Sequence, residues 1–196
     1  MRTDERITRA MGELLRRQGY AATGINALAR AAEAPTGSLY HHFRGGKREI
    51  AAAALRETGA VYIQLLPLLL DPYEDLAEGI EAAFAQAGEN MRDTGWLNMC
   101  PVGSVTAEVA TVEPELRAVS AEVMADWLAK GADYFAARGL RAEAAREFAQ
   151  AVLVAMEGAF VMARGLRTQE PFRAAGRSLA AHVRTLVRDQ DAAVRD

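Results

Sequence analysis

The segment 35–47 concentrates the side chains in this sequence that could do chemistry. It reads PTGSLYHHFRGGK and combines hydroxyl groups, two adjacent histidines, two aromatic rings and two basic side chains. These residue types are compatible with a metal site, a phosphate-binding loop or a surface that contacts DNA. The spacing of the residues decides between these possibilities.

Metal and phosphate-loop chemistry are poorly supported by that spacing. His41 and His42 are adjacent, so on a helix their side chains point about 100° apart, and no cysteine or carboxylate cluster joins them. The pair Gly45 and Gly46 lacks the spacing of a Walker loop. The sequence also has no Ser-His-Asp arrangement and no cofactor motif, so we predict no metal, no cofactor and no enzymatic activity.

Helical phase favours a surface that contacts DNA. Leu39 and Phe43 are four residues apart, so on a helix they share one face, which we expect to point into the protein. Tyr40 and His41 then point outward, and His42 lies to the side. Three small residues precede them, namely Thr36, Gly37 and Ser38. Small residues at a helix start allow close approach to DNA, and hydroxyl groups can donate to phosphates or base edges.

Three short helices must position these residues. Apolar periodicity predicts a first helix that ends at Gly19, a second at about 25–32 and a third after Pro35. Short helices joined by a tight turn indicate a helix-turn-helix unit, whose last helix enters the major groove of DNA. A long helix is predicted to begin near Lys47 and to run to the region of Pro67.

The order GYAATGINALARAAEAPTGSLYHHFRGGKREI in residues 19–50 resembles the N-terminal domain of TetR-family transcriptional repressors. The resemblance implies an all-helical body for ligand binding and dimerisation. The segments GGK, NMCPVGSVTAEVA (98–110) and EGAFVMARGLR (157–167) resemble the drug- and flavonoid-responsive subgroup typified by the lincomycin-resistance regulator. Glu33 stands where the family usually has a turn glycine, and we expect it to point away from DNA. Gly24 replaces a usual Ser or Thr helix cap.

The predicted DNA contacts combine this resemblance with the helical phase. The resemblance implies a phosphate contact for His41, and packing or a phosphate contact for His42. Lys47, at the start of a helix, could bind a DNA phosphate. Alternatively it is a solvated lysine, because the segment GGK has one more residue before the lysine than the commoner spacing in the family. The full set of predicted contacts is Thr23, Asn26, Thr36, Gly37, Ser38, Tyr40, His41, His42 and Lys47.

The charge distribution agrees with a DNA-binding head. The 196-residue chain has a net charge of −3, but residues 1–50 carry +4 and the remainder −7. A basic head on an acidic body is expected when only the head meets phosphates. The single cysteine, Cys100, fits a reducing cytoplasm, and the charged N-terminus does not resemble a signal peptide. The apolar run at 63–70 is shorter than the roughly 18 residues of a membrane span, so we predict a cytoplasmic protein without a membrane partner.

The body carries large, adaptable apolar side chains that suit a planar ligand. Residues of these types at helical spacing could equally be plain core. Glu157 is the lone charge in the apolar run AVLVAMEGAFVMA (151–163), and it could pair with an arginine or receive a ligand hydroxyl or amine. The predicted ligand contacts are Phe84, Met91, Trp96, Met99, Met124, Trp127, Met156, Glu157 and Phe160.

These observations predict an all-α fold of about nine helices. Residues 1–46 would form a three-helix helix-turn-helix domain, and residues 47–196 a ligand-binding and dimerisation domain. The apolar helix at about 141–166 and the stripe at 172–187 predict a homodimer formed through the last two helices, about 141–188. The expected function is a repressor that a small, apolar or aromatic effector releases from a pseudo-palindromic DNA operator. The alternative is a helix-turn-helix regulator without a small-molecule effector.

Overall fold

The computed structural model describes residues 1–195, which form ten α-helices and no strand. The predicted all-α class is therefore confirmed. The helices are α1 (Thr3–Gln18), α2 (Ile25–Ala31), α3 (Thr36–His42), α4 (Gly46–Tyr62), α5 (Leu65–Leu70), α6 (Leu76–Asp93), α7 (Pro101–Val109), α8 (Pro114–Ala137), α9 (Ala142–Leu166) and α10 (Glu170–Arg195).

The chain divides into two compact units, each built from two segments of the sequence. The first unit combines Met1–Val61 with Met99–Ala125, and the second combines Tyr62–Asn98 with Asp126–Asp196. The helices α1 to α3 therefore share a compact unit with most of α4, with α7 and with the first half of α8. A functional boundary between residues 46 and 47 stays a prediction.

The core of the first unit forms where α1 packs on α2, α3 and α7. Ile7, Met11 and Leu15 recur at intervals of four on α1 and are fully buried, as are Leu28 on α2 and Leu39 on α3. This spacing places the α1 side chains on one face of the helix, so one apolar stripe supports both short helices. The stripe gives the small N-terminal helices a common base.

The turn between α2 and α3 is held from α1. Glu33 is exposed and adopts a left-handed backbone conformation with φ of 49°, which glycine would adopt more easily. The Arg6 guanidinium donates hydrogen bonds to the carbonyl oxygens of Ala32 and Glu33, each at 3.3 Å. Gly24 offers no side-chain cap to α2, as expected from its type. Arg6 therefore holds the turn after α2 in the conformation that Glu33 adopts, while the N-terminus of α2 has no side-chain cap.

The helix that begins at Gly46 is shorter than predicted. α4 ends at Tyr62, and a separate helix, α5, contains Pro67 in its first turn. Proline is tolerated there because the first N–H groups of a helix have no partner within the helix. Pro67 therefore lies near the start of α5 and does not mark the end of α4.

α7 begins at Pro101 and is capped by a sulfur atom. The N–H of Gly103 donates to the Cys100 thiol sulfur at 3.4 Å, and the Cys100 side chain is only 3 % exposed. The proline suits the first position of the helix because its missing N–H would be unpaired in any case. Cys100 therefore has a structural position at the start of α7.

The second unit is built on the close packing of α6 against α10. Phe84 on α6 and Phe172 on α10 are almost completely buried. Gly176 permits this approach, because a Cβ atom added there would lie 3.0 Å from the Phe84 Cβ. Phe148 on α9 packs edge-on against Phe135 on α8, with ring centroids 4.9 Å apart. Interlocking aromatic rings therefore form the core of this unit.

α9 leaves much of its apolar surface uncovered. Within residues 1–195 it is the one helix long and apolar enough to cross a membrane by length and composition, and 17 % of its most apolar window is buried. The exposed apolar side chains are Val154, Val161, Met162 and Leu166. α9 is longer than the apolar run at 63–70, and the absence of a membrane partner stays a prediction.

Candidate DNA-contacting surface and effector-binding body

One face of α3 is buried against the protein, and the opposite face is exposed to solvent. Leu39 is fully buried and Phe43 is 9 % exposed, whereas Tyr40 is 50 % exposed. His41 and His42 are both exposed, and their rings meet edge-on with centroids 5.1 Å apart. The inward and outward faces inferred from helical phase are thus present, with His42 more open than expected.

The start of α3 carries its smallest residues. Thr36 and Gly37 are exposed, Ser38 is half-buried, and a Cβ atom added at Gly37 would meet nothing within 4 Å. Pro35 precedes the helix with extended backbone and gives no side-chain cap. A large partner can therefore approach the first turn of α3 without displacing a bulky side chain.

Gly46, which directly precedes Lys47, lies against the ring of Tyr40. Gly46 has φ of 64°, and its added Cβ would lie 3.3 Å from the Tyr40 ring. The Gly45 N–H donates to the Glu49 carboxylate at 2.6 Å, which ties the loop to the first turn of α4. The loop therefore supports the exposed ring of Tyr40 from behind.

Lys47 lies against an aromatic ring. Its ammonium nitrogen is 4.0 Å from the centroid of the Tyr20 ring, a cation–π contact. Partial burial lowers the pKa of the Lys47 ammonium, while the carboxylates of Glu108 and Glu113 act in the opposite direction. The lysine therefore has a partner inside the protein, and its contact with a DNA phosphate stays a prediction.

Thr23 and Asn26, the two predicted contacts outside the segment 35–47, differ in exposure. Asn26 on α2 is exposed. Thr23 is fully buried, and its hydroxyl donates to the carbonyl oxygen of Gly19 at 2.6 Å. This burial corrects the prediction for the Thr23 side chain, because its hydroxyl stabilises the turn before α2 instead of reaching the surface.

Glu108 is a contact that the sequence did not indicate. Its carboxylate accepts hydrogen bonds from the N–H groups of Tyr20 at 3.2 Å and Ala21 at 2.8 Å. It lies on α7, 88 residues from Tyr20 along the chain. A glutamate on a short helix resembles any solvated glutamate in sequence, so no local signal could have identified it.

The nine predicted ligand contacts fall into both compact units. Met99 and Met124 belong to the first unit, and the other seven belong to the second. In the second unit the Trp96 N–H donates to the Met91 carbonyl oxygen at 2.8 Å. Trp127 stacks on Tyr62, with ring centroids 6.3 Å apart.

Phe84, Phe160, Met156 and Glu157 complete the predicted ligand set in the second unit. Phe84 and Phe160 contact α10, the former beside Gly176 and the latter edge-on to Phe172 at 5.0 Å. Met156 and Glu157 on α9 are half-buried. The contacts of the aromatic members are those of core residues, so a role in ligand binding stays a prediction.

A groove of about 740 Å³ is also present in the second unit. Its described lining includes none of the predicted ligand contacts; it consists of Glu74, Asp75, Leu76, Ala77, Arg138, Ala181, Val183, Arg184, Thr185, Val187 and Arg188. Arg138 donates to the carbonyl oxygen of Tyr73 at 2.7 Å, and Arg184 pairs with Asp75 and Glu81. Arg138, Arg184 and Asp75 are thus engaged with neighbouring groups. Among the described residues, no group of three or more metal-binding side chains is found.

Comparison with known families assigns both parts of the chain. Residues 7–54 match the model described as "Bacterial regulatory proteins, tetR family". Residues 77–178 match the model described as "Transcriptional regulator LmrA/YxaF-like, C-terminal domain". The second match alone covers more than half of the chain. Both the N-terminal resemblance and the subgroup resemblance inferred from the sequence are therefore confirmed.

Individual relatives agree with the family matches. The HTH-type transcriptional regulators YxaF and LmrA of Bacillus subtilis are each 29 % identical over 167 residues, which is 85 % of this chain and 87 % and 89 % of theirs. A crystal structure of the regulatory protein TetR from Rhodobacter sphaeroides superposes with a TM-score of 0.78 at 25 % identity, covering 91 % of this chain and 97 % of that one. The relatives are named as regulators, which confirms the prediction of a regulator instead of an enzyme.

Proposed function

The chain belongs to the TetR family of DNA-binding transcriptional regulators, and we propose that it is a homodimeric repressor released from its operator by a small molecule. The observation that carries this proposal is the surface of α3. Small residues at its start and the exposed ring of Tyr40 rest on buried Leu39 and Phe43. A rigid base with an open face suits insertion into a major groove.

Each exposed group on the head has a proposed task at the operator. The Thr36 and Ser38 hydroxyls contact phosphates or base edges, while Gly37 permits close approach of the backbone. Tyr40 contacts a base, and His41 contacts a phosphate. The predicted positions not corrected above, Asn26, His42 and Lys47, add contacts to the DNA backbone, which contribute affinity for any sequence.

A homodimer is supported by the exposed apolar face of α9. Val154, Val161, Met162 and Leu166 would lie in water in a single chain, whereas a second copy would bury them. Glu157 and Arg164 on the same helix favour a protein partner over a lipid bilayer, because charged groups inside a bilayer are costly. A two-fold dimer places its two α3 helices in successive major grooves, roughly 34–36 Å apart, so its operator is pseudo-palindromic.

The proposed effector is small and apolar or aromatic, and it binds the body of the protein in the cytoplasm. The large side chains of the second unit, including Phe84, Trp127 and Phe160, supply the adaptable surface for it. Effector binding would shift the dimer toward a head spacing that does not fit the operator. Coupling of this kind is typically about 1–3 kcal/mol.

A second candidate function is a DNA-binding regulator without a small-molecule effector. It is favoured by the contacts of Phe84, Trp127 and Phe160, each of which is already packed against a core neighbour. In that case the side chains assigned to the effector serve only the stability of the body. Control of the protein would then come from a partner protein or from its abundance.

The proposed function is tested by selecting DNA duplexes from a random library with the purified protein. We expect enrichment of a pseudo-palindrome, with affinity that falls steeply as salt rises. Thr36→Glu should abolish this binding, because it places a negative charge on the surface that meets phosphates. Thr111→Glu, at an exposed site outside α3, is the matched control and should bind normally. A library without enrichment, or equal binding by the Thr36 variant, would contradict the proposal.

A further inference from the structure

A carboxylate from α7 is bound to the backbone at the end of α1. Glu108 accepts from two consecutive N–H groups, those of Tyr20 and Ala21, at 3.2 and 2.8 Å. Neither residue belongs to α1 or α2, so these N–H groups lie in the turn that leads into the helix-turn-helix. Hydrogen bonds from neutral N–H groups to an ionised carboxylate are stronger than those between neutral groups. Glu108 therefore fixes this turn from outside the three-helix head.

The turn is shaped to receive this carboxylate. Gly19 has φ of 80° and ψ of −177°, a conformation that is nearly exclusive to glycine. A Cβ atom added at Gly19 would lie 1.8 Å from a carboxylate oxygen of Glu108. Both the backbone conformation and the missing side chain are thus required for the contact.

The same turn carries the ring on which Lys47 rests. The Tyr20 N–H is held by Glu108, and the Tyr20 ring lies 4.0 Å from the Lys47 ammonium nitrogen. Burial lowers the pKa of the Lys47 ammonium, and the negative charges of Glu108 and Glu113 oppose that shift. One residue of α7 is therefore connected, through the backbone and ring of Tyr20, to a predicted phosphate contact.

We propose that Glu108 is a positioning residue for DNA binding: it holds the turn at 19–21 so that the Tyr20 ring sets the Lys47 ammonium within reach of a DNA phosphate. The inference rests on the proposed function. It makes α7 a place from which operator affinity can be changed without any change in α3. Displacement of α7 would loosen the turn, and Lys47 would lose its fixed position.

A double-mutant cycle tests the proposal. Operator affinity is measured as a function of salt for Glu108→Ala, Lys47→Ala and the double variant, with the duplex enriched from the random library. Lys47→Ala should weaken binding several-fold and flatten the dependence of log affinity on log salt by about one. Glu108→Ala should do the same. The double variant should be no weaker than either single variant, because both remove the same contact.

The matched control is Glu113→Ala. The negative charge of Glu113 acts on Lys47 in the same direction as that of Glu108. The Glu113 side chain does not accept the two backbone hydrogen bonds that Glu108 accepts. We expect its salt slope to equal that of the unaltered protein. Tyr20→Leu, which removes the ring, should resemble Lys47→Ala. Thermal melting of each variant identifies loss of folding, and Glu108→Gln replaces the alanine variant in the cycle if that variant melts early.

Three results would be decisive against the inference. Additive losses in the double variant would mean that Glu108 acts independently of Lys47. An unchanged salt slope in Lys47→Ala, in a protein that still binds its operator, would overturn the inference and leave the proposed function intact. A slope change in Glu113→Ala as large as that in Glu108→Ala would assign the effect to charge alone. Failure of the unaltered protein to enrich any DNA would instead contradict the proposed function.

Discussion

At the scale of single residues, Tyr40 has the clearest expected effect on DNA binding. Its ring is half exposed and rests against Gly46. Tyr40→Ala should weaken specific operator binding by about 1–3 kcal/mol if the ring touches a base. Fluorescence anisotropy with the enriched duplex measures this loss. Tyr40→Phe is the control for the hydroxyl group, and unchanged affinity of the alanine variant would remove Tyr40 from the contact surface.

Gly19 should control stability at the same scale. Gly19→Ala should lower the free energy of unfolding by about 1–3 kcal/mol, because the alanine must adopt a backbone conformation that glycine alone tolerates. It must also displace the Glu108 carboxylate. Urea denaturation measures the change. Gly37→Ala is the matched control in open space on α3 and should leave stability unchanged or slightly raised; equal stability of the two variants would contradict the expectation.

The residues that sequence reasoning placed correctly are those fixed by local periodicity. Leu39 and Phe43 are buried because a spacing of four residues on a helix leaves no other choice once one of them faces the core. Local periodicity could not predict the burial of Thr23 or the contact made by Glu108. The burial of Thr23 depends on a turn in which its hydroxyl folds back on Gly19, and the role of Glu108 depends on a contact between distant segments.

At the scale of elements, the exposed apolar face of α9 is the proposed dimer interface. Val161→Glu should convert the proposed dimer into a monomer at micromolar concentration, because it places charge on a face that a second copy would bury. The side chain is 63 % exposed in the single chain, so the substitution should leave each chain folded. Light scattering measures the mass. Val112→Glu, at a site 69 % exposed and outside α9, should remain dimeric. A dimer that survives Val161→Glu would contradict this interface.

The presence of each long helix could be inferred from the sequence more easily than the residues at which it begins and ends. The periodic apolar faces of α1, α6 and α10 were evident in the sequence, since each must cover a core on one side. The break after Tyr62 was missed because proline signals both the end of one helix and the start of another. The compact unit that joins Met99–Ala125 to the N-terminal helices depends on long-range contacts, which periodicity does not report.

At the scale of the whole molecule, the proposed effector should link stability to DNA release. A screen of melting temperature against flavonoids, macrolides, lincosamides, dyes and acyl compounds should find a stabilising compound. A ligand at one hundred times its Kd adds about 2.7 kcal/mol to the free energy of unfolding. The same compound should lower operator occupancy in an anisotropy titration. A compound that stabilises without release would contradict the proposed control, and a screen without any hit would favour the regulator that lacks an effector.

Because Cys100 is buried in its capping position, a label attached to one introduced cysteine could report the distance between the two heads of the proposed dimer. Cys100 is the single cysteine of the sequence and its thiol is buried at the start of α7. A cysteine introduced at exposed Ala22 would therefore be the accessible attachment point for a nitroxide label. Each dimer would then carry one spin per subunit, so pulsed electron resonance could record the separation of the heads with and without operator, while every native side chain except Ala22 stays in place.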